Sequence, residues 1–282
     1  MPQTKARGAG VLEPSPMNDT LFDPHRYATV RFGDADISRN STIWRYMNFE
    51  KFCWLVEKSL LRHTRLDQFE DPFEGAVTYL YAKMRDSGNA NPDFGPMDWD
   101  SMTYKFARVL RFASCWHASE YESDAQWKLY ASGGAGIAIL STQERLKCSV
   151  DLRPHTGILA DMAYLDFDNS PMRRPVGHRG ILQPGYLKRK CFDHEKEVRG
   201  IIVVDPIIEG GRFIKDEASL EEQKRLQPPF VDAPVDLKGM IQAIVISPLA
   251  KPFQRELVDI VAERHGLKHL VKTSELLRNP VF

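Results

Sequence analysis

Cysteine, unbalanced charge and long apolar runs are all scarce in this chain of 282 residues. Its four cysteines, Cys53, Cys115, Cys148 and Cys191, are widely spaced, which is not the pattern of a secreted disulfide framework. The sequence has no run of about 18 consecutive apolar residues, the length that a membrane-spanning helix needs. Its first residues also lack the apolar centre of a signal peptide. We therefore predict reduced thiols, a cytoplasmic location and no membrane partner.

The charges of the chain are balanced, with 38 lysines and arginines against 38 aspartates and glutamates. There is thus no overall field that would draw the chain onto nucleic acid or an anionic membrane, and any contact with phosphates would be local. One local cluster is the Pro- and Gly-rich basic stretch from Arg173 to Lys190. We interpret this stretch as a long solvated loop, with phosphate contact as the alternative.

The composition is that of a globular protein of enzyme size, with 43% apolar and 10% aromatic residues. Residues 1–20 are rich in Pro, Gly and small polar residues and have no apolar periodicity, which predicts a flexible leader. Residues 21–282 are long enough to form one large globular domain with its own core.

Apolar periodicity predicts strands and helices that do not alternate regularly along the chain. The predicted strands lie at 43–47, 110–116, 137–140, 158–164, 197–204 and 240–246, and the predicted helices at 49–61, 98–110, 127–130, 216–226 and 251–265. In the last helix we expect Phe253, Leu257, Ile260 and Val261 to point inward and Gly266 to end the helix. Because a doubly wound fold requires regular alternation, we predict an α+β fold, with a mixed, largely antiparallel sheet core and packed helices.

The segment Glu195-Lys-Glu197-Val-Arg199 is the first candidate for a catalytic site. It leads into an apolar strand, and the two-residue period of a strand would place its three charged side chains on one face. One carboxylate could then orient a substrate hydroxyl while the other stabilises a developing positive charge, and Arg199 could hold either one ionised. The alternative is a solvated strand face with cross-strand ion pairs.

Other residues could line a binding pocket. Arg45, beside Tyr46 on the first predicted strand, offers a guanidinium fork suited to a diphosphate, or is simply a surface arginine. Ser114 interrupts an apolar strand, so its hydroxyl could line a pocket or cap a turn. Trp127 and Tyr130, one helical turn apart, could form an aromatic platform for a planar ring or pack in the core.

Two kinds of metal site can be drawn from the sequence. Four zinc-capable side chains occur as two pairs, Cys115 with His117 and Cys191 with His194, but neither spacing is that of the usual Cys-x-x-Cys knuckle. A magnesium ion, as in a nuclease or phosphohydrolase, would have four candidate carboxylates: Asp71, Glu74, Glu195 and Glu197. No spaced signature supports a dedicated cage, so we expect no metal.

Several motifs together resemble a known bacterial family. They are Trp44-Arg-Tyr, Arg65-Leu-x-x-Phe-x-Asp-Pro-Phe-Glu-Gly75, Ser114-Cys-Trp, Trp127-x-x-Tyr130 with following glycines, His194-Glu-Lys-Glu-Val-Arg199 and Val271-x-x-Ser274-x-Leu276. In this order they resemble the family known as domain of unknown function 2971. The resemblance extends from Trp44 to the C-terminus and implies a shared fold rather than a defined activity.

The order of an Arg, a Ser and a Glu-x-Glu on successive strands is also similar to the ADP-ribosyltransferase superfamily. This resemblance implies that Arg45 binds the phosphates of NAD, that Ser114 supports the ribose, that Glu197 stabilises the oxocarbenium transition state and that Glu195 orients the acceptor. In the His-Tyr-Glu form of the superfamily, Tyr130 would take the aromatic position.

The sequence departs from the superfamily pattern in two places. Position 116 is Trp, so no Ser-x-Ser follows Ser114. Arg199 stands where it could neutralise the carboxylate of Glu197. Both departures weaken the assignment of catalytic roles by resemblance.

Three functions follow as hypotheses. The first is an NAD-consuming, ADP-ribosyltransferase-like enzyme, a toxin or phage-defence effector that modifies a protein or nucleic-acid acceptor. The second is the metal-dependent nuclease or phosphohydrolase. The third is a non-enzymatic binding or regulatory module, in which Trp127, Tyr130 and the loop from Phe69 to Phe73 are structural.

Overall fold

The computed structural model describes residues 26–29, 41–87, 100–130, 136–170, 184–208 and 214–281. The predicted leader, residues 1–20, lies outside these ranges, as does most of the predicted basic loop. Among the described residues, none of the helices is long and apolar enough to cross a membrane.

The described residues form a mixture of strands and helices. The strands are β1 (Tyr27–Thr29), β2 (Thr42–Asn48), β3 (Leu60–Arg65), β4 (Arg111–Ala118), β5 (Gly136–Thr142), β6 (Thr156–Asp161), β7 (Ala163–Leu165), β8 (Leu187–Arg189), β9 (Glu197–Val203), β10 (Phe230–Pro234), β11 (Ala243–Ile246) and β12 (Val271–Thr273). The α-helices are α1 (Phe49–Lys58), α2 (Tyr79–Asp86), α3 (Ser101–Val109), α4 (Asp124–Tyr130), α5 (Gln143–Ser149), α6 (Glu217–Leu226), α7 (Leu237–Met240) and α8 (Pro252–Arg264).

One large sheet organises the chain. Its strands follow the order β1-β6-β9-β4-β2-β5-β11-β12, and β3 joins β4 to β10. Most neighbours are antiparallel, whereas β1 with β6 and β11 with β12 are parallel. Strands β7 and β8 form a separate parallel pair. The predicted α+β fold with a mixed, largely antiparallel sheet is therefore confirmed.

The sheet divides along one edge of β4. Strand β9 pairs with β4 over seven successive residues on the other edge. On the divided edge, β2 pairs with the end of β4, at His117 and Ala118, and β3 pairs with its beginning, at Phe112 and Ala113. Among the described strands, none pairs with residues 114–116 on this edge. A gap thus opens between β2 and β3.

A large apolar cluster covers one face of the sheet. Phe52 and Val56 from α1 and Val258 from α8 pack with strand residues such as Ile139 and Ile202, all of them fully or almost fully buried. Removing this apolar area from water is the main source of stability for such a core. The cluster fixes the positions of β2, β4 and β9, from which the site described below is built.

Helix α1 is shorter than predicted. It begins at Phe49 because the Asn48 side chain accepts a hydrogen bond from the Lys51 amide, and it ends at Lys58 because Ser59 adopts a left-handed conformation with φ 52°. The predicted helix over 49–61 is therefore wrong at its end, where Leu60 and Leu61 begin β3. Two adjacent leucines fit a helix face and the start of a strand equally well, so periodicity alone could not separate the two.

Helix α8 faces the core differently from the prediction. Three residues predicted to point inward are exposed: Phe253 (57%), Leu257 (42%) and Ile260 (44%). The buried residues are Val258, Val261 and Ala262, because α8 contacts the core and α1 through a narrow stripe of smaller side chains. Gly266, with φ 68°, follows the helix and allows the chain to turn, as predicted.

Several other elements differ in extent. The prediction did not include β1, β8, β10, β12, α2 or α5, and the expected strand over 158–164 is divided between β6 and β7. The expected strand over 240–246 begins only at Ala243, since Met240 ends α7 and the two residues between them belong to neither element. These differences concern short elements, in which few residues carry the periodic signal.

Candidate functional site

A cleft of about 880 Å³ opens at the gap between β2 and β3. Strands β2, β3 and β4 contribute to its lining, together with α1, the loop after β3, Tyr130 at the end of α4, and residues between 188 and 197. Its lining includes Arg45, Tyr46, Trp54, Arg62, Phe69, Glu74, Cys115, Trp116, His117, Tyr130, Lys188, Phe192, Glu195 and Glu197. A cavity of this size can hold a nucleotide-sized ligand.

Arg45 bridges the gap in the sheet. Its guanidinium donates hydrogen bonds to the Ser114 hydroxyl and, over 3.3 Å, to the Arg62 carbonyl, and it lies 5.7 Å from the ring centre of Trp116. The ion-paired carboxylates around the cleft have Lys188, Arg189 and Arg199 as their partners. Within the described part of the chain, no carboxylate forms an ion pair with Arg45. Burial lowers the pKa of Arg45, yet an arginine stays charged in proteins. Arg45 thus places in the cleft a positive charge whose guanidinium has further N–H donors for a ligand.

Ser114 positions the guanidinium of Arg45 through a hydrogen bond. It is almost fully buried, and its hydroxyl accepts hydrogen bonds from Arg45 and, over 3.2 Å, from the Trp116 indole. The structure thus places Ser114 beneath the cleft lining. Its observed role is to orient the guanidinium rather than to face a ligand.

Glu197 lies at the centre of a buried ionic cluster. Its carboxylate accepts hydrogen bonds from Arg199 at 2.8 and 3.0 Å and from the Lys188 ammonium at 3.2 Å. Arg199 also donates to Glu74 at 2.7 and 3.2 Å. Lys188 donates in addition to Glu195 at 2.6 Å. Two cations therefore hold three carboxylates together.

The cluster carries an excess of negative charge. Three carboxylates, those of Glu74, Glu195 and Glu197, face two cations, Lys188 and Arg199, which leaves one negative charge uncompensated. The two carboxylates of Glu195 and Glu197 differ in access, with exposed side-chain fractions of 15% and 4%. Glu195 is thus the carboxylate that a ligand reaches more readily.

The electrostatics of the cluster keep Glu197 ionised. Burial alone raises the pKa of a carboxyl group, but Arg199 and then Lys188 outweigh it and lower the pKa of Glu197 to about 2. For the ammonium of Lys188 burial acts in the opposite direction and lowers the pKa, but the charges of Glu197 and Glu74 raise this pKa above its usual value overall. At neutral pH Glu197 and Lys188 are therefore both charged.

The structure corrects the predicted arrangement of Glu195. Glu197 and Arg199 do share one face of β9, but Glu195 lies in the preceding 3-10 helix, Lys190–Glu195. Lys196, between the two, adopts a left-handed conformation with φ 41°, and this turn breaks the strand period. The two glutamates nevertheless converge, because both side chains reach the ammonium of Lys188.

The predicted aromatic residues occupy different layers. Tyr130 is 48% exposed and lines the cleft, and burial followed by the charge of Glu195 raises its pKa to about 12. Tyr46 also lines the cleft, and its hydroxyl accepts a hydrogen bond from the Ser123 amide. Trp127 is buried behind Tyr46, with ring centres 4.9 Å apart at 88°. Trp127 therefore supports the wall rather than forming a platform for a ligand.

The geometry does not favour the metal hypotheses. No group of three or more His, Cys, Asp or Glu side chains within the described ranges is arranged to hold a metal ion. Glu74, Glu195 and Glu197 do converge, but the Lys188 ammonium stands among them, where a shared cation would bind. Asp71 pairs with Arg189 at 3.0 Å instead.

The sequence did not predict that Lys188 and Glu74 belong to the ionic cluster around Glu197. Lys188 lies within the predicted basic loop, and Glu74 is predicted only as a possible metal ligand. A lysine beside the apolar Leu187 in a three-residue strand gives little signal of its own. Their pairing with Glu197 depends on the folding of β8 and the loop after β3 against β9, which local spacing does not encode.

No family model matches the chain, and no curated protein or solved structure was found to be significantly similar to it. The resemblances to the domain of unknown function 2971 and to the ADP-ribosyltransferases therefore stay predictions.

Proposed function

We propose that the cleft binds NAD and that the chain is an ADP-ribosyltransferase-like enzyme acting on a macromolecular acceptor. The observation that carries the proposal is the separation of charge within one cleft. Arg45 presents a guanidinium without a carboxylate partner among the described residues, and the Glu74–Glu195–Glu197 cluster presents one uncompensated negative charge. NAD has an anionic diphosphate and a cationic pyridinium ring, so its charges complement both regions.

The lining of the cleft supports a ligand that contains rings and phosphates. A guanidinium has five N–H donors, and Arg45 uses two of them on described residues, which leaves donors for phosphate oxygens. Tyr46, Trp116 and Tyr130 add aromatic surface beside it. Predominantly apolar walls with a few placed charges are typical of cofactor sites.

The proposed reaction uses the ionised cluster as an electrostatic stabiliser. The bond between C1′ of the ribose and the nicotinamide nitrogen breaks, and nicotinamide leaves as a neutral molecule with the bonding electron pair. The positive charge that develops at C1′ is stabilised by the carboxylate of Glu197, which Arg199 holds in place. A lone pair of the acceptor forms the new bond to C1′, and the acceptor proton is released, with Glu195 orienting the attacking group.

The test is release of nicotinamide from NAD by the full-length chain, with protein, RNA and DNA acceptors in parallel. We expect Glu197→Gln to lower the rate by about 100-fold or more, the usual cost of removing an electrostatic stabiliser. Arg45→Lys, which keeps the charge but removes the fork, should weaken NAD binding. The matched control is Glu263→Gln, which changes an exposed carboxylate of α8 outside the cleft lining and should leave the rate of nicotinamide release unchanged.

Two results would overturn the proposal. NAD that stays intact with every acceptor would exclude the reaction, and full activity of Glu197→Gln would exclude the assigned site. Far-UV circular dichroism and a thermal unfolding curve for each variant separate loss of activity from loss of fold. Activity abolished by a chelator and restored by magnesium would favour the metal-dependent hydrolase instead.

A further inference from the structure

Trp54 belongs to a stack of three planar groups at the cleft. The guanidinium carbon of Arg62 lies 4.1 Å from the ring centre of Trp54 and 3.6 Å from that of Phe230. Arg62 also forms a bidentate ion pair with Asp232, at 2.9 and 3.0 Å. The guanidinium is thereby fixed between the two rings and its charge is compensated. Its effect is to hold the indole of Trp54 in one orientation.

The indole of Trp54 has one covered side and lines the cleft. Among the described residues, no second aromatic ring or cation stacks on it. Glu50 and Lys51, one turn earlier on α1, also line the cleft. A rigid indole beside charged groups is suited to a heterocycle whose face is apolar and whose edge is polar.

The Trp54 stack is connected directly to the proposed phosphate site. The backbone carbonyl of Arg62 accepts a hydrogen bond from Arg45, while the Arg62 side chain supports Trp54. The anion-binding guanidinium and the indole are therefore separated by about one arginine side chain. In a nucleotide, a ribose spans a comparable gap between base and phosphates.

We propose that Trp54 is the platform on which the purine base of a bound adenine nucleotide stacks while Arg45 binds its phosphates. This inference rests on the proposed function for the identity of the ligand. It assigns the two ends of NAD to opposite parts of the cleft. The adenine lies at α1, and the nicotinamide ribose lies at Glu195, Glu197 and Tyr130.

The test compares two ligands that differ in the adenine moiety. Titration with ADP-ribose should show a loss of affinity of about 10- to 100-fold in Trp54→Ala, the range that loss of base–aromatic stacking produces. Nicotinamide mononucleotide, which lacks adenine, should bind the variant and the unchanged chain equally. Trp54→Phe keeps an aromatic ring and should retain most of the affinity. Tyr121→Ala removes an exposed aromatic side chain outside the cleft and serves as the control.

The outcomes separate this inference from the proposed reaction. Equal ADP-ribose affinity in Trp54→Ala and the unchanged chain would overturn the inference, even if NAD is consumed. Trp54-dependent binding of ADP-ribose without any NAD cleavage would support the inference and contradict the proposed reaction. If the unchanged chain binds no adenine nucleotide, the inference fails. Thermal unfolding of Trp54→Ala and Trp54→Phe controls for loss of fold.

Discussion

Arg199 carries its charge in a place from which water is almost completely excluded. Desolvating a guanidinium and two carboxylates costs several kcal/mol per ion in a protein interior, and only good geometry and hydrogen bonds offset it. Arg199 meets this condition through contacts to Glu74, Glu197 and the Gly185 carbonyl. Removing the guanidinium would leave three carboxylates of the cluster, those of Glu74, Glu195 and Glu197, with Lys188 as the remaining cation of the cluster.

We therefore predict that Arg199→Met lowers the free energy of unfolding by about 3–5 kcal/mol. The measurement is urea-induced unfolding at neutral pH, followed by circular dichroism. Lys128→Met removes one partner of an exposed i,i+4 ion pair on α4 and should change the stability by no more than about 0.5 kcal/mol. Similar losses in the two variants would show that the buried cluster does not contribute as described.

The pKa of Glu197 gives a second prediction at the residue scale. Its pKa is lowered from 4.5 to about 2 in the folded chain. A carboxyl group whose folded pKa is depressed stabilises the fold fully above its unfolded pKa and loses this contribution as pH falls toward the folded pKa. The stability of the unchanged chain should thus fall between pH 4.5 and 2, and Glu197→Gln should show a shallower fall. Denaturant midpoints measured at several pH values test this, and equal slopes would contradict it.

At the scale of elements, the packing of α8 can be tested by substitution. Phe253→Ser, Leu257→Ser and Ile260→Ser should each change the free energy of unfolding by less than about 0.5 kcal/mol, because these side chains are exposed. Val258→Ala should cost about 1–3 kcal/mol, since its methyl groups are buried. A large loss in the serine variants would mean that the helix packs through the face predicted from the sequence.

The same helix shows what the sequence could and could not provide. Its extent and its end at Gly266 follow from periodicity and from a glycine that accepts a positive φ. The face that packs inward could not be predicted, because apolar residues occur on both the exposed and the buried face of the helix, and the smaller side chains are the ones that fit against the core. Likewise, the Glu-x-Glu motif pointed to the carboxylates of the site, but Lys188 and the true position of Glu195 depend on the turn at Lys196. The α+β class was predictable because it depends on the order of many elements rather than on any one boundary.

At the scale of the whole molecule, the sheet joins distant parts of the chain. β4, from the middle of the sequence, lies between β9 and the pair β2 and β3, while β11 and β12 from the C-terminal region pair beyond β5. No single cut in the sequence separates this sheet into two independent cores. We therefore predict one cooperative unfolding transition for the described fold. Tryptophan fluorescence and far-UV circular dichroism should give coincident denaturation curves, and a separated early transition in either signal would contradict the prediction.

The gap beside β4 also has a mechanical consequence. β2 and β3 are each paired with β4 through two residues, at opposite ends of the strand. Between these points the side chain of Arg45 connects the two strands, because Arg45 belongs to β2 and donates a hydrogen bond to the Arg62 carbonyl of β3. An anion that binds the remaining donors of Arg45 would add a ligand to this connection between β2 and β3. Occupancy of the cleft would then stiffen the sheet itself, and slower hydrogen exchange of the β2 and β3 amides would report it.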